Sequence, residues 1–210
     1  MSYEIRTAIL DPKTGYNKTA NIYKNFRKHL NSFDQGIFLK FMPRDLSNLD
    51  ILDLGSGDGR IYHFFAQESL WSYTTCDIAD KLLANHPNTT SNWKSIDKVI
   101  CNLENPLPFE GTKFDIILSF FVLEHIQNLE QLFGEVYRIM KPWARWIIWH
   151  FQQRKAYKYK IHNEDFKIQR YTYSKDDIIK LAEYAFFEVF VEEIKEHNNY
   201  LWDIFVLKKS

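Results

Sequence analysis

Residues 52–60, Leu-Asp-Leu-Gly-Ser-Gly-Asp-Gly-Arg, combine an apolar run with three alternate glycines, a pattern suited to binding a small polar ligand. The apolar residues 51–54 predict a short buried strand, and the following residues 61–65 predict the opening of a helix. Because glycine has no Cβ, a ligand can approach the backbone of such a turn closely. A helix N-terminus behind the turn would add unpaired N–H groups and a partial positive charge. We therefore expect a cofactor with an anionic part to bind here.

An acidic residue follows the next predicted strand. Residues 72–76 are rich in β-forming side chains and end at Asp77. In a doubly wound sheet, an acid at the end of the second strand can accept hydrogen bonds from ribose hydroxyls, about 20 residues beyond the glycine turn. The alternative is that Asp77 caps the helical segment that starts near Ala79, since Asp is a favoured N-cap. The neighbouring glycine turn favours the ribose interpretation.

Further motifs follow the acid in order, and they are Leu107-Pro108-Phe109, Phe114-Asp115-Ile116-Ile117, Val122-Leu123-Glu124-His125 and Arg138-Ile139-Met140-Lys141-Pro142. The glycine spacing is Gly-x-Gly-x-Gly, which differs from the Gly-x-Gly-x-x-Gly of dinucleotide-binding proteins. The whole series resembles the class I S-adenosylmethionine (AdoMet) methyltransferases, in particular the type 11 methyltransferase domain of menaquinone/ubiquinone C-methyltransferases. The resemblance covers roughly residues 45 to 150. It implies AdoMet as cofactor and S-adenosyl-L-homocysteine as product.

The resemblance also implies which residues hold the cofactor. The glycine turn would contact the methionine part, Asp77 the ribose, and the end of the fourth strand the sulfonium. The full set of expected cofactor-binding residues is Tyr16, Asp53, Gly55, Ser56, Gly57, Gly59, Asp77, Ile78, Asn102, Leu103, Ser119 and Phe120. Relatives usually carry an acid where Asn102 stands. Its side-chain oxygen can still accept a hydrogen bond from adenine, and the alternative is a local turn.

Tyr16 and Tyr23 are seven positions apart and lie on one face of the first predicted helix. In relatives a helix like this closes over the cofactor. The alternative for this pair is an ordinary aromatic core stripe.

Catalysis of methyl transfer places few demands on side chains, because orientation of the acceptor can supply about 7–11 kcal/mol. A general base is needed if the acceptor must first lose a proton. The candidate bases are His125, His150 and Glu124, each of which follows a predicted strand. As alternatives, Glu124 and His125 would cap or orient the next helix, and His150 would pack in the core.

Strands and helices alternate over residues 48–150, which predicts a mostly parallel sheet with helices on both faces. A capped helix from Ser174 and two β-rich runs, 187–194 and 200–207, follow. With the resemblance, this implies an α/β, Rossmann-like, doubly wound seven-stranded sheet with one antiparallel strand. We expect a helical cap over residues 1–44 and an AdoMet-binding methyltransferase domain over 45–210. Within that domain, residues 151–173 would form a substrate lid.

The 27 basic and 27 acidic side chains balance, so no global charge drives binding to nucleic acid. We expect methyl transfer to O, N or C of a small-molecule acceptor. The lid mixes basic and aromatic residues, a composition that can also bind single-stranded RNA. An RNA methyltransferase and a non-catalytic AdoMet-binding protein therefore stay as alternatives.

The two cysteines, Cys76 and Cys101, lie in apolar runs and are predicted to be buried thiols outside any disulfide framework or metal site. The first residues lack the apolar core of a signal peptide, and no apolar run reaches spanning length. A cytoplasmic location without a membrane span is expected.

Two positions depart from the family pattern. Relatives usually have Gly-Gly after Lys-Pro, where this chain has Trp143-Ala144, and Ala-Gly-Phe is common where Phe186 stands. Trp suits a turn of positive φ poorly. One hypothesis is that some Trp positions are UGA codons read as glycine in the source organism, and a different codon at position 143 would exclude it.

Overall fold

The computed structural model describes residues 7–26, 36–90, 94–151, 158–196 and 199–210. Its strands and helices, in chain order, are β1 (Ala8–Leu10), α1 (Pro12–Thr19), α2 (Tyr23–Phe26), β2 (Asp50–Leu54), β3 (Ser72–Asp77), α3 (Asp80–Leu83), β4 (Asp97–Ile100), β5 (Phe114–Phe120), α4 (Leu129–Ile139), β6 (Met140–His150), β7 (Lys158–Ile161), β8 (Glu164–Ile168), α5 (Lys175–Tyr184), β9 (Phe187–Glu196) and β10 (Asn199–Lys209). Shorter 3₁₀ turns lie at Ile37–Phe41, Tyr62–Phe65 and Leu123–His125. Within the described ranges, no helix combines the length and apolar character needed to cross a bilayer.

The main sheet has seven strands in the order β4-β3-β2-β5-β6-β10-β9. Strands β4, β3, β2, β5 and β6 pair in parallel, while β10 is antiparallel to both of its neighbours. This confirms the predicted sheet with its one antiparallel strand. The chain passes from β2 to β3 on one side and later to β5 on the other. The carboxyl ends of these three strands therefore meet where the strand order reverses, which is where such sheets bind ligands.

Apolar side chains cover both faces of the sheet. On one face, Phe133 of α4 packs against Trp146 of β6 in a core that also includes Ile178 of α5. On the other face, Phe38 and Phe65 from the 3₁₀ turns pack in a separate core. The sheet is thus sandwiched between two layers, as predicted, and its strand ends are held rigidly.

The helix predicted at residues 60–69 is instead a four-residue 3₁₀ turn, Tyr62–Phe65. Tyr62 packs edge-on against Tyr73, with ring centroids 5.2 Å apart, and Phe65 is fully buried against Phe38. Aromatic side chains lose rotamer freedom in a helix, so packing against the sheet outweighs a weak helical preference. The expected helix N-terminus behind the glycine turn is therefore wrong for this chain.

The described N-terminal helices also differ from the prediction. The spacing of apolar residues predicts one helix over 16–30, while the structure has α1 and α2, and residues 27–35 lie outside the described ranges. The second predicted helix, 34–41, is described only from residue 36 and forms the 3₁₀ turn Ile37–Phe41. The domain boundary at residue 44 stays a prediction.

A second sheet of three strands, in the order β1-β8-β7, joins the N-terminus to the expected lid. β1 pairs in parallel with β8 from Ala8 opposite Phe166 to Leu10 opposite Ile168. Helix α1 packs on the same strand so closely that a Cβ at Gly15 would lie 2.5 Å from Cγ1 of Ile168. Residues 152–157 of the lid lie outside the described ranges.

Cys76 and Cys101 are both buried, as predicted. The prediction that they are free thiols is wrong, because a disulfide joins them, with their Cα atoms 5.9 Å apart. The parallel register of β3 with β4, which sets Asp77 opposite Ile100, brings the two cysteines together. Local sequence carries no information on this register, which explains why the pair was not predicted.

Trp143 and Phe186 both have the left-handed backbone expected of glycine, with φ of 67° and 66°. Both side chains are exposed. The expectation that these turns need a positive φ is confirmed.

Candidate cofactor and acceptor site

A cavity of about 440 Å³ lies at the carboxyl ends of β2, β3 and β5. Helix α1 and the second sheet lie over its opening and contribute residues such as Tyr16, Tyr159 and Ile168. Its volume falls within the usual range for small-molecule and cofactor sites, about 300–1,000 Å³. The predicted strand-end site and the predicted lid therefore line one cavity.

The glycine turn is fixed to the neighbouring strand β3. The backbone N–H groups of Gly55 and Ser56 both donate to the carbonyl oxygen of Cys76, at 2.7 and 3.2 Å. Gly55 has φ of 70°, and a Cβ there would lie 2.4 Å from Cγ2 of Val122. A larger residue would thus displace the loop after β5 that forms the opposite wall of the cavity.

Asp77 joins the glycine turn to the start of α3. Its Oδ2 accepts a hydrogen bond from Gly57 N, and its Oδ1 accepts one from Ala79 N, both at 2.8 Å. The capping alternative does not hold, because the N-cap of α3 is Ala79 and no side chain caps this helix. A carboxylate has about four acceptor positions, so Asp77 retains capacity for ribose hydroxyls. Burial raises the pKa of Asp77, while the backbone N–H groups act in the opposite direction.

Asp53 lies in the inner wall of the cavity and is almost completely buried. Burial raises its pKa to about 7, against the opposing effects of the hydrogen bond from Tyr73 and the charge of Arg60. Among the residues that the structure describes, six carboxylates (Asp11, Asp53, Asp58, Asp77, Glu104 and Glu124) and two guanidinium groups (Arg60 and Arg170) line the cavity. Such a lining suits a ligand of net positive charge. AdoMet fits it, because its sulfonium and ammonium groups outweigh its one carboxylate.

Aromatic side chains form the wall beyond β5. The rings of Phe121 and Phe151 stack with centroids 4.6 Å apart and an angle of 12°. The guanidinium of Arg60 lies 5.2 Å from the centroid of Phe121. Phe121 has φ of 60°, an uncommon value that sets its ring beside Phe151. This half of the cavity is therefore lined by aromatic rings, with a guanidinium group beside them.

His125 is held between the N-terminal helix and the lid. Its Nε2 lies 2.8 Å from the Tyr16 hydroxyl, and its Nδ1 lies 2.8 Å from the carbonyl oxygen of Gln169. The preceding residue, Glu124, forms a buried ion pair with Arg170 at 3.3 Å. The loop after β5 is thus tied to both elements that cover the cavity.

Most of the predicted site residues line this cavity. They are Tyr16, Asp53, Gly55, Ser56, Gly57, Asp77, Ile78, Asn102, Leu103, Phe120 and His125. Asn102 uses its Oδ1 to accept a hydrogen bond from Glu104 N at 3.0 Å, which is the local-turn alternative. A second lone pair on that oxygen can still serve a ligand.

Three predicted residues lie away from the cavity. Ser119 accepts a hydrogen bond from Trp146 Nε1 at 2.9 Å, on the opposite face of β5 from Phe120, because successive side chains of a strand alternate. His150 donates from Nε2 to the Tyr173 carbonyl at 2.9 Å beneath the start of α5, so it is a packing residue. Gly59 packs against His86, whose Cδ2 would lie 2.8 Å from an added Cβ. Their predicted contacts with ligands are not supported by this arrangement.

Several residues of the cavity escaped the sequence analysis, among them Asp58, Arg60, Phe121 and Gln169. Arg60 directly follows the last glycine of the turn, and that position could have identified it. Phe121 and Gln169 carry no local signal, because a strained backbone and a strand pairing across the chain bring them to the site.

Comparison with known proteins agrees with this geometry. A family model described as a methyltransferase domain matches residues 52–148. The demethylmenaquinone methyltransferase of Leptospira interrogans is 23% identical over 159 residues, covering 64% of each chain. The human mitochondrial arginine-hydroxylase NDUFAF5 is 31% identical over 91 residues, covering 43% of this chain and 25% of that protein. The chain thus spans less than two thirds of the length of these relatives.

Solved structures share the fold at low identity. An AdoMet-dependent methyltransferase from Mesorhizobium loti superimposes with a TM-score of 0.68 at 14% identity, covering 86% of this chain and all 100% of that one. The [4+2]-cyclase SpnF superimposes with a TM-score of 0.71 at 11% identity, covering 97% and 99%. The cyclase illustrates that the fold alone does not define the reaction. The chain is thus similar to the class I AdoMet-dependent methyltransferases, in sequence over residues 52–148 and in its fold.

Proposed function

We propose that this protein transfers the methyl group of AdoMet to O, N or C of a small planar acceptor molecule. The observation that carries the proposal is the division of one cavity into two chemically different halves. Asp53, Asp77 and the glycine turn form an acidic half, while Phe121 and Phe151 form an aromatic half. A cofactor and an acceptor could thus lie side by side, away from bulk water.

In the acidic half, Asp77 is the residue we assign to the ribose hydroxyls and Asn102 to the adenine. AdoMet supplies a methyl group that is already activated on its sulfonium. The protein's contribution is then to orient the acceptor and to exclude water, which together can account for a large part of the rate. Helix α1 supports this role, because its Asn17 hydrogen-bonds Asp80 Oδ1 and Lys81 N of α3 and so holds it over the cavity.

In the aromatic half, the stacked rings of Phe121 and Phe151 favour a planar acceptor, since aromatic groups prefer offset-stacked or edge-on contacts. The names of two relatives also support a planar acceptor. The Leptospira protein is named a demethylmenaquinone methyltransferase. A protein from Cereibacter sphaeroides, 24% identical over 106 residues, is named a ubiquinone/menaquinone biosynthesis C-methyltransferase. Carboxylates outnumber guanidinium groups in the described part of the lining, which favours a small molecule over RNA, because RNA binding relies on basic grooves.

Isothermal titration calorimetry with AdoMet and with S-adenosyl-L-homocysteine tests the acidic half. We expect micromolar binding that is abolished in Asp77→Ala. The matched control is Asp115→Ala. The Asp115 carboxylate also accepts a hydrogen bond from a backbone N–H, that of Asp50 at 2.9 Å, but Asp115 does not line the cavity. Equal binding by the wild type and Asp77→Ala would contradict the assignment of Asp77, and no binding by folded wild type would contradict the proposed function.

Mass spectrometry of S-adenosyl-L-homocysteine formation, over a panel of planar and non-planar acceptors, tests the aromatic half. We expect transfer to planar compounds, and a KM raised about threefold to tenfold by Phe121→Leu, since an aromatic pair is worth about 0.5–1.5 kcal/mol. Phe190→Leu, at an exposed position of β9, is the control. Binding of AdoMet without transfer to any acceptor would instead favour a non-catalytic protein.

A further inference from the structure

The hydrogen bonds of His125 define which of its nitrogens carries the proton. The carbonyl oxygen of Gln169 can only accept, so Nδ1, at 2.8 Å from it, is the protonated nitrogen. Burial lowers the pKa of His125, which favours the neutral ring. Nε2 then presents a lone pair to the Tyr16 hydroxyl at 2.8 Å, and Tyr16 is the donor in that bond.

Tyr16 connects this lone pair to the cavity. It lines the cavity from α1, and its ring meets the His125 ring edge-on with centroids 5.2 Å apart. Burial raises the pKa of Tyr16 well above its usual value, so its resting form is the phenol. A phenol between a cavity and a neutral imidazole can accept one proton while it passes on another.

The helix-capping alternative for His125 does not hold in this structure. The N-cap of α4 is Asn128, whose side-chain oxygen accepts a hydrogen bond from Gln131 N at 3.2 Å. His125 lies in the preceding 3₁₀ turn and makes its two ring contacts to α1 and to the segment after β8. His125 therefore lines the cavity and does not cap α4.

We propose that Tyr16 and His125 form a proton relay that deprotonates a hydroxyl group of the acceptor during methyl transfer. This inference rests on the proposed function and narrows its substrate class to planar compounds with a phenolic or enolic hydroxyl. Tyr16 is then a catalytic residue, and Gln169 is a positioning residue that fixes the tautomer of His125.

The step balances in atoms and charge. The acceptor O–H bond breaks as its proton moves to the Tyr16 oxygen, while the phenolic proton of Tyr16 moves to Nε2 of His125. The acceptor oxygen forms the new bond to the methyl carbon, and the C–S bond breaks with its electron pair left on sulfur. S-adenosyl-L-homocysteine is released, and the imidazolium returns its proton to solvent.

The charged and titratable groups around the relay come from every element packed against it. Glu124 raises the pKa of His125, whereas Arg170 lowers it. Glu124 and Asp77, together with the phenols of Tyr23 and Tyr159, raise the pKa of Tyr16. The Glu124 carboxylate thus stabilises the imidazolium that the relay forms, and the Arg170 ion pair moderates this effect.

NMR of ¹⁵N-histidine-labelled protein tests the relay without any acceptor. At pH 7, with and without S-adenosyl-L-homocysteine, we expect His125 to be neutral with its proton on Nδ1. Tyr16→Phe should shift the Nε2 resonance toward the value of an imidazole nitrogen without a hydrogen bond, whereas Tyr62→Phe should not. Tyr62 is the matched control because its hydroxyl contacts the Thr89 carbonyl away from the cavity. A proton on Nε2 of His125 would overturn the proposal.

Kinetics with 1-naphthol and 1-naphthylamine, which share one ring system, test the substrate class. We expect transfer to the hydroxyl compound, with kcat lowered 10²- to 10⁴-fold by Tyr16→Phe or His125→Asn. His125→Asn should keep its affinity for S-adenosyl-L-homocysteine within about threefold of the wild type. The rise of kcat with pH that reports His125 should disappear in His125→Asn. Transfer to the amine alone, no transfer to the hydroxyl by protein that binds AdoMet, or a rate within threefold in Tyr16→Phe would each overturn the relay. Failure to bind AdoMet would instead contradict the proposed function.

Discussion

The Tyr73 hydroxyl donates a 3.0 Å hydrogen bond to Oδ2 of Asp53 in the inner wall of the cavity. This bond favours the ionised carboxylate, yet burial has the larger effect and raises the pKa of Asp53 to about 7. Without a ligand, Asp53 is therefore protonated over much of the acid range. A cationic ligand in the cavity would favour its ionised form.

The first prediction concerns the pH dependence of stability. The pKa of Asp53 rises from 3.8 to about 7 on folding, so the native state binds a proton that the unfolded state releases. The contribution of Asp53 to the free energy of unfolding should thus fall as the pH rises from about 4 to about 7, and level off above that. Urea unfolding from pH 4 to 8 measures this slope. Asp53→Asn should flatten it, and parallel curves for the two proteins would contradict the assigned pKa.

The second prediction concerns the contact between α1 and β8. Gly15→Ala would place a Cβ 2.5 Å from Cγ1 of Ile168, and such overpacking costs typically about 1–3 kcal/mol. Gly134→Ala is the matched control, because Gly134 lies in a helix with no heavy atom within 4 Å of its added Cβ. It should instead stabilise the protein by up to about 1 kcal/mol through helix propensity.

Hydrogen exchange of residues 8–19 and 158–168 would locate the effect of Gly15→Ala, with both segments expected to exchange faster. In an Ile168→Ala background, Gly15→Ala should cost less than it does in the wild type, since the contacted atom is absent from both proteins being compared. Equal exchange in the wild type and Gly15→Ala would show that the contact is dispensable.

The third prediction concerns the left-handed turn at Trp143. An L-residue with a Cβ pays roughly 1–2 kcal/mol in this conformation, whereas glycine does not. Trp143→Gly should therefore be about 1 kcal/mol more stable than Trp143→Ala, because the two variants lose the same indole and differ only in the Cβ. Thermal unfolding of both variants measures the difference, and a more stable alanine variant would be inconsistent with the φ of 67°.

The fourth prediction concerns the bond between Cys76 and Cys101. It closes a loop with a sequence separation of 25, and cross-links of this length are worth about 3 kcal/mol in chain-entropy models. Reduction should lower the unfolding midpoint by a corresponding amount. Iodoacetamide labelling of unfolded, unreduced protein should leave both residues unmodified, and two added carbamidomethyl groups would contradict the disulfide.

The features that could be predicted from sequence are those that depend on neighbours along the chain. Helix α4 runs from Leu129 to Ile139, and its cap at Asn128 and its apolar face are both local signals. β3 was predicted over 72–76 and includes one residue more, Asp77. The glycine turn and the acid of the site lie where these local patterns placed them.

The features that were missed depend on contacts between distant segments. The aromatic residues 62–65 favour packing over a helix because Phe38 and Tyr73 lie beside them, and no local pattern contains that information. In the same way, the Gln169 carbonyl reaches His125 through the folding of the lid. Sequence thus indicated the acidic half of the cavity, while the aromatic half required the tertiary structure.

The pairing of β1 with β8 has a consequence for how acceptor selectivity can change among related enzymes. The cover of the cavity is built from two stretches of chain, and its Lys18–Glu164 ion pair joins residues 146 positions apart. If residues 158–168 alone were taken from a homologue, they would lack that homologue's β1, with which β8 pairs, and its α1, which packs on Ile168. Selectivity should therefore be exchangeable between homologues only when residues 8–19 and 158–168 are swapped together as a matched pair.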